Sequence, residues 1–301
     1  MTNSNKLSII IVSYNTRNVI GECIESVIRT VPKDIPYEIL IGDNASKDGS
    51  VEFIKQKYPR VVVYAFDHNY GFAKANNILL KKISGSYVLF LNPDTVVKPD
   101  AIQIVYDYLL NNKKSAVATG KVLLQSGPLD DACHRGFPSP WNAICHFSGL
   151  SRVFPKSKLF NGYHLGYQNM DTIHEIDSCS GAFMMVRSRI GESIGWFDED
   201  FFWYGDDLDF CYRIKEKNWN VVYIPDATII HYKGVASGIK KHSRHLSQAT
   251  IVTKRLATEA RFDVMKLFYR KHYRNVYPSF LMKIIFITVD VMKMITLKTL
   301  K

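Results

Sequence analysis

Four apolar runs of strand length alternate with helical patterns in the first hundred residues, and this alternation limits the fold more than any other feature. The runs are Leu7 to Ser13, Tyr37 to Gly42, Val61 to Phe66 and Tyr87 to Leu91. The first is apolar almost throughout, as in a strand covered on both faces. Val19 to Ile28 carries apolar residues at Val19, Ile20, Cys23, Ile24, Val27 and Ile28, a helical period. Helices are also expected from Ser50 to about Tyr58 and from Ala73 to Ile83. Strands separated by helices predict an α/β fold, with a mainly parallel sheet and crossover helices.

The fourth run ends in Leu89-Phe90-Leu91-Asn92-Pro93-Asp94-Thr95. Proline has no N–H for a strand ladder, so the strand should stop at Pro93. Asp94 is thereby delivered to the carboxyl end of a strand, the edge at which open α/β sheets bind ligands. A carboxylate there suits a divalent cation, and a cation with free positions suits a diphosphate. The competing reading is an Asx-type turn leaving the sheet.

Beyond this point the pattern loosens. Asp100 to Leu110 and Asp206 to Lys217 read as helices, and Ala116 to Leu124 and Ala182 to Val186 as strands. Asn220 to Ile224 and Ala227 to Ile230 read as two short strands, the second running into His231. Gln125 to His174 shows no sustained periodicity, and so long a loop is usually functional.

The 301 residues suffice for one large or two ordinary domains. Five scattered cysteines without a CxxC argue against a disulfide framework and fit a reducing cytosol. Met1 to Lys6 is polar and the first apolar run is short, so no signal peptide is expected. No GxGxxG follows the first strand and no GxxxxGK[ST] is present, which weighs against a dinucleotide site and a P-loop ATPase.

Five stretches, in order, resemble the inverting family 2 glycosyltransferases. They are SIIIVSYN (8–15), IGDNASKDGS (41–50), NYGFAKANN (69–77), LFLNPDT (89–95) and FFWYGDDLDFCYR (201–213), with PDATIIHYKGVAS (225–237) behind them. The resemblance implies the GT-A fold, a Rossmann-like α/β arrangement with helices on both faces of the sheet. It would span residues 1–239, with a donor-binding half to about 124 and an acceptor half from about 125. The Asn-Pro-Asp-Thr form, in place of the more usual Asp-x-Asp, looks like the branch containing rhamnosyltransferases. The implied activity is inverting transfer of a sugar, L-rhamnose from dTDP-rhamnose, to a glycan or lipid-linked glycan acceptor in cell-surface polysaccharide synthesis. The alternatives are another nucleotide sugar, such as UDP-galactofuranose, or a non-catalytic nucleotide-sugar-binding module.

The resemblance also implies roles. Val12, Ser13 and Tyr14 would line the nucleotide, with Asp43 accepting a hydrogen bond from the base; a turn-capping Asp43 is the plainer alternative. Asn69 and Gly71 would line the nucleotide-sugar cleft. Asp94 resembles the metal-binding Asp, although Asn92 stands where the motif's first acid would be. His231 would be the second ligand of a divalent cation, Mg²⁺ or Mn²⁺, and an imidazole favours Mn²⁺ by ligand type. Asp207 matches the general base, which takes the acceptor hydroxyl's proton as the oxygen attacks the anomeric carbon. Asp206 remains an alternative, because neighbouring carboxylates titrate as a pair. Apolar walls from the preceding aromatics would raise the base's pKa. Ser180 and Gly181 resemble the stretch beneath the acceptor, with Gly181 permitting close approach of a sugar. Trp203 and Tyr204 either stack on sugar faces or belong to the core.

Residues 240–301 hold 14 basic and 3 acidic residues, a net +11 equal to that of the whole chain. His242 to Tyr273 reads as a basic helix, and Phe280 to Leu297 as a strongly apolar one interrupted by Lys283, Asp290 and Lys293. Its uncharged stretches are too short to span a bilayer. At 100° per residue the three charges fall within a quarter-turn, the pattern of a helix lying in a membrane interface. Packing on the catalytic domain, or on a second subunit of a homodimer, is the alternative. The tail lacks a nucleic-acid-binding motif, so no nucleic-acid partner is expected. The expected location is cytoplasmic, peripheral on the inner face of the cell membrane.

Overall fold

A computed structural model describes residues 3–240 and 243–300. The strands are β1 (Asn3–Ser13), β2 (Tyr37–Asp43), β3 (Val62–Ala65), β4 (Gly85–Leu91), β5 (Thr95–Val97), β6 (Ser115–Leu124), β7 (His174–Ile176), β8 (Phe183–Arg187) and β9 (Asn220–His231). The helices are α1 (Ile20–Thr30), α2 (Ser50–Lys57), α3 (Gly71–Leu80), α4 (Ala101–Asn111), α5 (Pro140–Phe147), α6 (Leu150–Val153), α7 (Ser188–Ser193), α8 (Asp206–Glu216), α9 (Ile251–Phe268) and α10 (Ser279–Lys298). One sheet runs β3-β2-β1-β4-β8-β6-β9-β5, with β7 also on β9.

The apolar run of β1 is explained by what covers it. Leu7, Ile9 and Ile11 join a core with Ile20, Cys23, Ile24 and Val27 of α1 and with α4. Ile10 and Val12 point the other way, into a core with Ala73, Ala75 and Leu79 of α3 and with α8. Successive strand residues face opposite sides, so a strand with helices on both faces has no polar side to show.

β1 pairs in parallel with β2 and β4, and β2 with β3. This is the expected parallel arrangement of the first hundred residues. Antiparallel strands enter beyond it: β8 lies against β4 and β6, and β5 and β7 lie against β9. The two short strands expected around Pro225 are one strand, β9. Its pairing with β6 shifts register between Ile224 and Thr228, and the bulge carries Pro225 without breaking the sheet. Gln125 to His174 is also more ordered than expected, holding α5, α6 and a short turn at Asp131–Cys133. All five cysteines are free and buried.

His242, where the basic helix was expected to begin, lies outside the described residues. α9 starts at Ile251 instead, because the Thr250 side chain caps it by accepting from the Thr253 N–H. It ends in a π-helical turn, Tyr269–Tyr273. A third apolar cluster joins this tail to the sheet domain: Phe201 and Leu208 pack with Phe268, Tyr269, Tyr273 and Met282.

Candidate active site

On the donor side, parallel pairing sets Ser13 beside Asp43 at the carboxyl ends of β1 and β2. The Ser13 and Ser46 hydroxyls each donate to Asp43 Oδ2 at 2.7 Å, and the Ser46 N–H donates to Oδ1 at 2.8 Å. Asp43 therefore caps its own turn, and with about four lone-pair sites on a carboxylate it retains one further acceptor position. Val12 is buried beside it and Tyr14 is half-buried.

Asn44, which sequence reading passed over, ties the next loop down. Its amide donates to the Gly71 carbonyl at 3.1 Å, and its Oδ1 accepts from the Tyr70 N–H at 3.3 Å. Asn69 Oδ1 accepts from the Gly71 N–H at 2.9 Å. Gly71 has φ +76°, and a Cβ there would collide with the Phe202 carbonyl. That carbonyl accepts from the Phe72 N–H at 3.0 Å, so the Asn69–Gly71 loop is fastened to the aromatic segment before α8.

Asp94 and His231 meet. β5 and β9 pair with Thr95 opposite His231, which brings Asp94 Oδ1 to 3.2 Å from His231 Nε2. The Tyr232 N–H donates to the Asp94 carbonyl at 2.9 Å. Asn92 Nδ2 lies 3.4 Å from the same imidazole nitrogen. The other ring nitrogen, Nδ1, lies 2.9 Å from Asp130 Oδ2, and Lys233 pairs with Asp130 Oδ1. Burial alone would lower the His231 pKa, but the Asp94 and Asp130 carboxylates outweigh it and raise it to about 9. Burial pushes Asp94 up, and the His231 charge more than reverses this. Asp130 is likewise held well below the carboxylate range by His231 and Lys233 against its own burial.

This donor set fits a divalent cation. Two ligands of one small cation, each at about 2.1 Å, lie about 3 Å apart, near the Asp94–His231 separation. An imidazole whose far nitrogen is held by a carboxylate is a common ligand arrangement. Among the described residues no cluster of three or more His, Cys, Asp or Glu side chains offers a complete cage. Asp130 was missed because it sits in the aperiodic segment, 101 residues before His231.

Three acids begin α8, where carboxylates complement the helix dipole. Their environments differ. Asp206 is sealed in at 4% exposure, and burial, followed by the adjoining Asp207 charge, pushes its carboxyl well up. The upward shift expected from apolar walls thus falls on Asp206. Asp207 is half-buried: its Oδ1 accepts from Arg135 Nη2 at 2.9 Å and from the Leu208 N–H at 2.7 Å, and its Oδ2 from the Gly181 N–H at 3.3 Å. Arg135 Nε is buried without a hydrogen-bond partner among the described residues. Asp209 is buried between Arg213 Nε at 2.8 Å and His272 Nε2 at 2.7 Å.

The structure brings Ser180 and Gly181 next to Asp207 through that Gly181 N–H. The space over the Gly181 Cα is not open to a sugar, however: a Cβ there would meet the Phe72 ring at 3.1 Å. Small size at this position lets the donor loop close against the acceptor stretch. Trp203 and Tyr204 stack on one another with centroids 6.4 Å apart, and both are half-buried. Burial pushes the Tyr204 phenol up.

The tail is attached to this site. Val264 of α9 lies where a Cβ on Gly205 would be, immediately before Asp206. Lys271 pairs with Asp198 at 2.5 Å and Asp200 at 2.6 Å. α10 packs back on α9 through Met282 and Val289, with Lys266–Asp290 at 2.5 Å and Lys293–Asp263 at 2.6 Å. The charged sector expected to face water is therefore partly spent on α9. Phe280, Ile284, Ile287, Val291, Met294 and Ile295 are left exposed. No helix of the described residues is long and apolar enough to cross a membrane.

Comparison with known proteins gives the family and the fold. The chain is 29% identical over 235 residues to the rhamnosyltransferase WbbL of Escherichia coli, covering 74% of this chain and 82% of that protein. It is 25% identical over 215 residues to the N-acetylglucosaminyl-diphospho-decaprenol L-rhamnosyltransferase of Mycobacterium tuberculosis, covering 67% of this chain and 69% of that one. The mannosyltransferase PcManGT of Pyrobaculum calidifontis, solved with GDP-Man and Mn²⁺, shares the fold with TM-score 0.57 at 16% identity, over 97% of this chain and 70% of that one. The sequence pattern of glycosyl transferase family 2 matches residues 8–190, and the chain belongs to that family.

Proposed function

We propose that the protein is an inverting rhamnosyltransferase that moves L-rhamnose from dTDP-rhamnose to a lipid-linked glycan. The observation that carries the transferase reading is Asp207, a partly exposed carboxylate oriented by Arg135 and the Gly181 N–H beside Asp206, whose carboxyl burial pushes up. Asp207 takes the acceptor hydroxyl's proton as that oxygen bonds to the anomeric carbon. The bond from that carbon to the diphosphate breaks with inversion, and the nucleoside diphosphate leaves. Arg135 holds the carboxylate in place through its Nη2 contact.

Asp94 and His231 would hold a Mn²⁺ or Mg²⁺ ion, with Asp130 orienting the imidazole. Such an ion supplies charge stabilisation for the departing diphosphate. Asp43, Ser13, Val12, Tyr14, Asn69 and Gly71 would line the nucleotide, and Ser180, Gly181, Trp203 and Tyr204 the acceptor side. Rhamnose as donor sugar is supported by the two rhamnosyltransferase relatives. A lipid-borne acceptor is supported by the name of the mycobacterial relative and by the exposed apolar face of α10 within a basic tail. The location that follows is the inner face of the cell membrane, with the site residues within 1–239 and α9 packed against them.

The test is a donor-hydrolysis screen over nucleotide sugars with Mg²⁺, Mn²⁺ or EDTA. Release of dTDP from dTDP-rhamnose that stops in EDTA is the expected result. Turnover of UDP-galactofuranose alone would replace the donor. Nucleotide binding without turnover of any donor would make the chain a binding module.

A further inference from the structure

The segment whose root holds Asp207 ends in an apolar and basic surface. Arg135 reaches the catalytic carboxylate, and its backbone pairs with Ser178 in both directions at 3.2 and 3.0 Å. Phe137 and Gly136 tie the same root to Asp177 and Tyr163. From there the chain rises into α5 and α6. Along α5, Trp141, Ile144 and Phe147 recur every third residue and are exposed on one side. Past α6, Val153 is 69% exposed and Leu159 61%, with Phe154 between them. Trp141 Nε1 donates to the Leu159 carbonyl at 2.8 Å, and Phe160 packs against both Trp141 and Phe154. The two exposed groups are thus parts of one surface.

The charge of this segment is one-sided. Residues 132–170 contain no Asp or Glu. Arg135 is spent on Asp207, and Arg152, Lys156 and Lys158 are exposed among the apolar residues. A second copy of the chain is a poor occupant, because a two-fold interface sets a patch against itself and would oppose these cations with no acid to pair them. An anionic lipid surface takes both components, the aromatic and aliphatic side chains in its interface and the cations at its phosphates.

We infer that the α5–α6 segment is a second membrane-docking element, separate from the C-terminal tail, which seats the acceptor side of the site against an anionic bilayer. The inference rests on the reading that the acceptor is lipid-borne and assigns a partner to the segment that holds the base. It also gives the aperiodic length of Gln125 to His174 a use.

The test uses the full chain without donor or acceptor, so it stands apart from the donor screen. Co-sedimentation with vesicles of phosphatidylglycerol and phosphatidylcholine is compared for the wild type and two variants. One variant, Ile144→Ser/Phe147→Ser/Val153→Ser, removes exposed apolar groups. The other, Arg152→Glu/Lys156→Glu/Lys158→Glu, reverses the charge and leaves the apolar side chains in place. Both should bind at least about tenfold more weakly with the tail intact, and high salt should shrink the deficit of the charge variant but not that of the apolar variant. Unchanged vesicle binding by both variants would overturn the inference. So would a wild-type dimer that both variants convert to monomer without change in vesicle binding, which would give the face to a second copy. Circular dichroism spectra and melting temperatures at wild-type levels confirm that the variants are folded.

Discussion

The donor side and the acceptor side of this site are built by different means. On the donor side, Ser13, Asp43 and Asp94 stand at or just past the carboxyl ends of β1, β2 and β4, and Asn69 opens the turn into α3. Each is positioned by the strand or turn it belongs to, and Asp43 takes its partners from Ser46 of its own turn and Ser13 of the adjoining strand. On the acceptor side, Asp207 is held by a residue 72 positions away and Asp209 by one 63 positions away. His231, on the edge between them, is held from 101 positions away. Local geometry places the donor groups, and buried ionic pairs between distant segments place the acceptor groups. The second arrangement fails more steeply, because removing one partner strands the other charge away from water.

The largest expected effect comes from removing residues 240–301. The cut takes His272 from Asp209, Val264 from Gly205, and Phe268 and Tyr269 from Phe201 and Leu208. Asp209 keeps Arg213, so losing the His272 hydrogen bond to this charged group costs about 1.5–3 kcal/mol, and the lost apolar packing adds to it, against a domain's stability of about 5–15 kcal/mol. The truncated chain should lose transfer and unfold at a much lower temperature in a thermal melt. A truncated chain with the wild-type melting temperature would break the contrast, since the acceptor side would then stand without its distant partners.

Next is Asp207→Asn, expected to reduce transfer about 10²–10⁴-fold while calorimetric binding of the nucleoside diphosphate is unchanged. If Asp206→Asn is inactive and Asp207→Asn transfers normally, the base is the buried neighbour. Asp130→Asn should raise the Mn²⁺ concentration needed for half-maximal activity by about 10–100-fold, as for other groups that orient a metal-ligating imidazole. An unchanged metal requirement would reduce Asp130 to a packing role. Ser46→Ala should have the smallest effect, about 1 kcal/mol in denaturant unfolding, because Asp43 keeps Ser13 and a backbone N–H. A loss several times larger would show that the donor side also depends on single long-lived contacts.

Much of this was legible in the residues. The continuous apolar run of β1, the helical period of α1 and the stop at Pro93 follow from local rules of burial, periodicity and hydrogen bonding, and so do the positions of Asp43 and Asp94. The acids at the start of α8 were legible for the same reason, as residues of a recognisable helix terminus. Their division of labour was not, because Asp206 and Asp207 differ only in what the fold places over them. Asp130, Arg135, Asn44 and His272 carry no local signal. A single Asp, Arg, Asn or His in an aperiodic or helical stretch looks solvated until a distant strand or helix is packed against it. The tail shows the same limit: its charge and apolar pattern were plain in the sequence. Which face of α10 meets α9, and that α9 closes over Gly205 beside Asp206 and Asp207, was decided only by the packed structure. Burial and ion pairing depend on which surfaces meet, and one chain segment does not contain both sides of that contact.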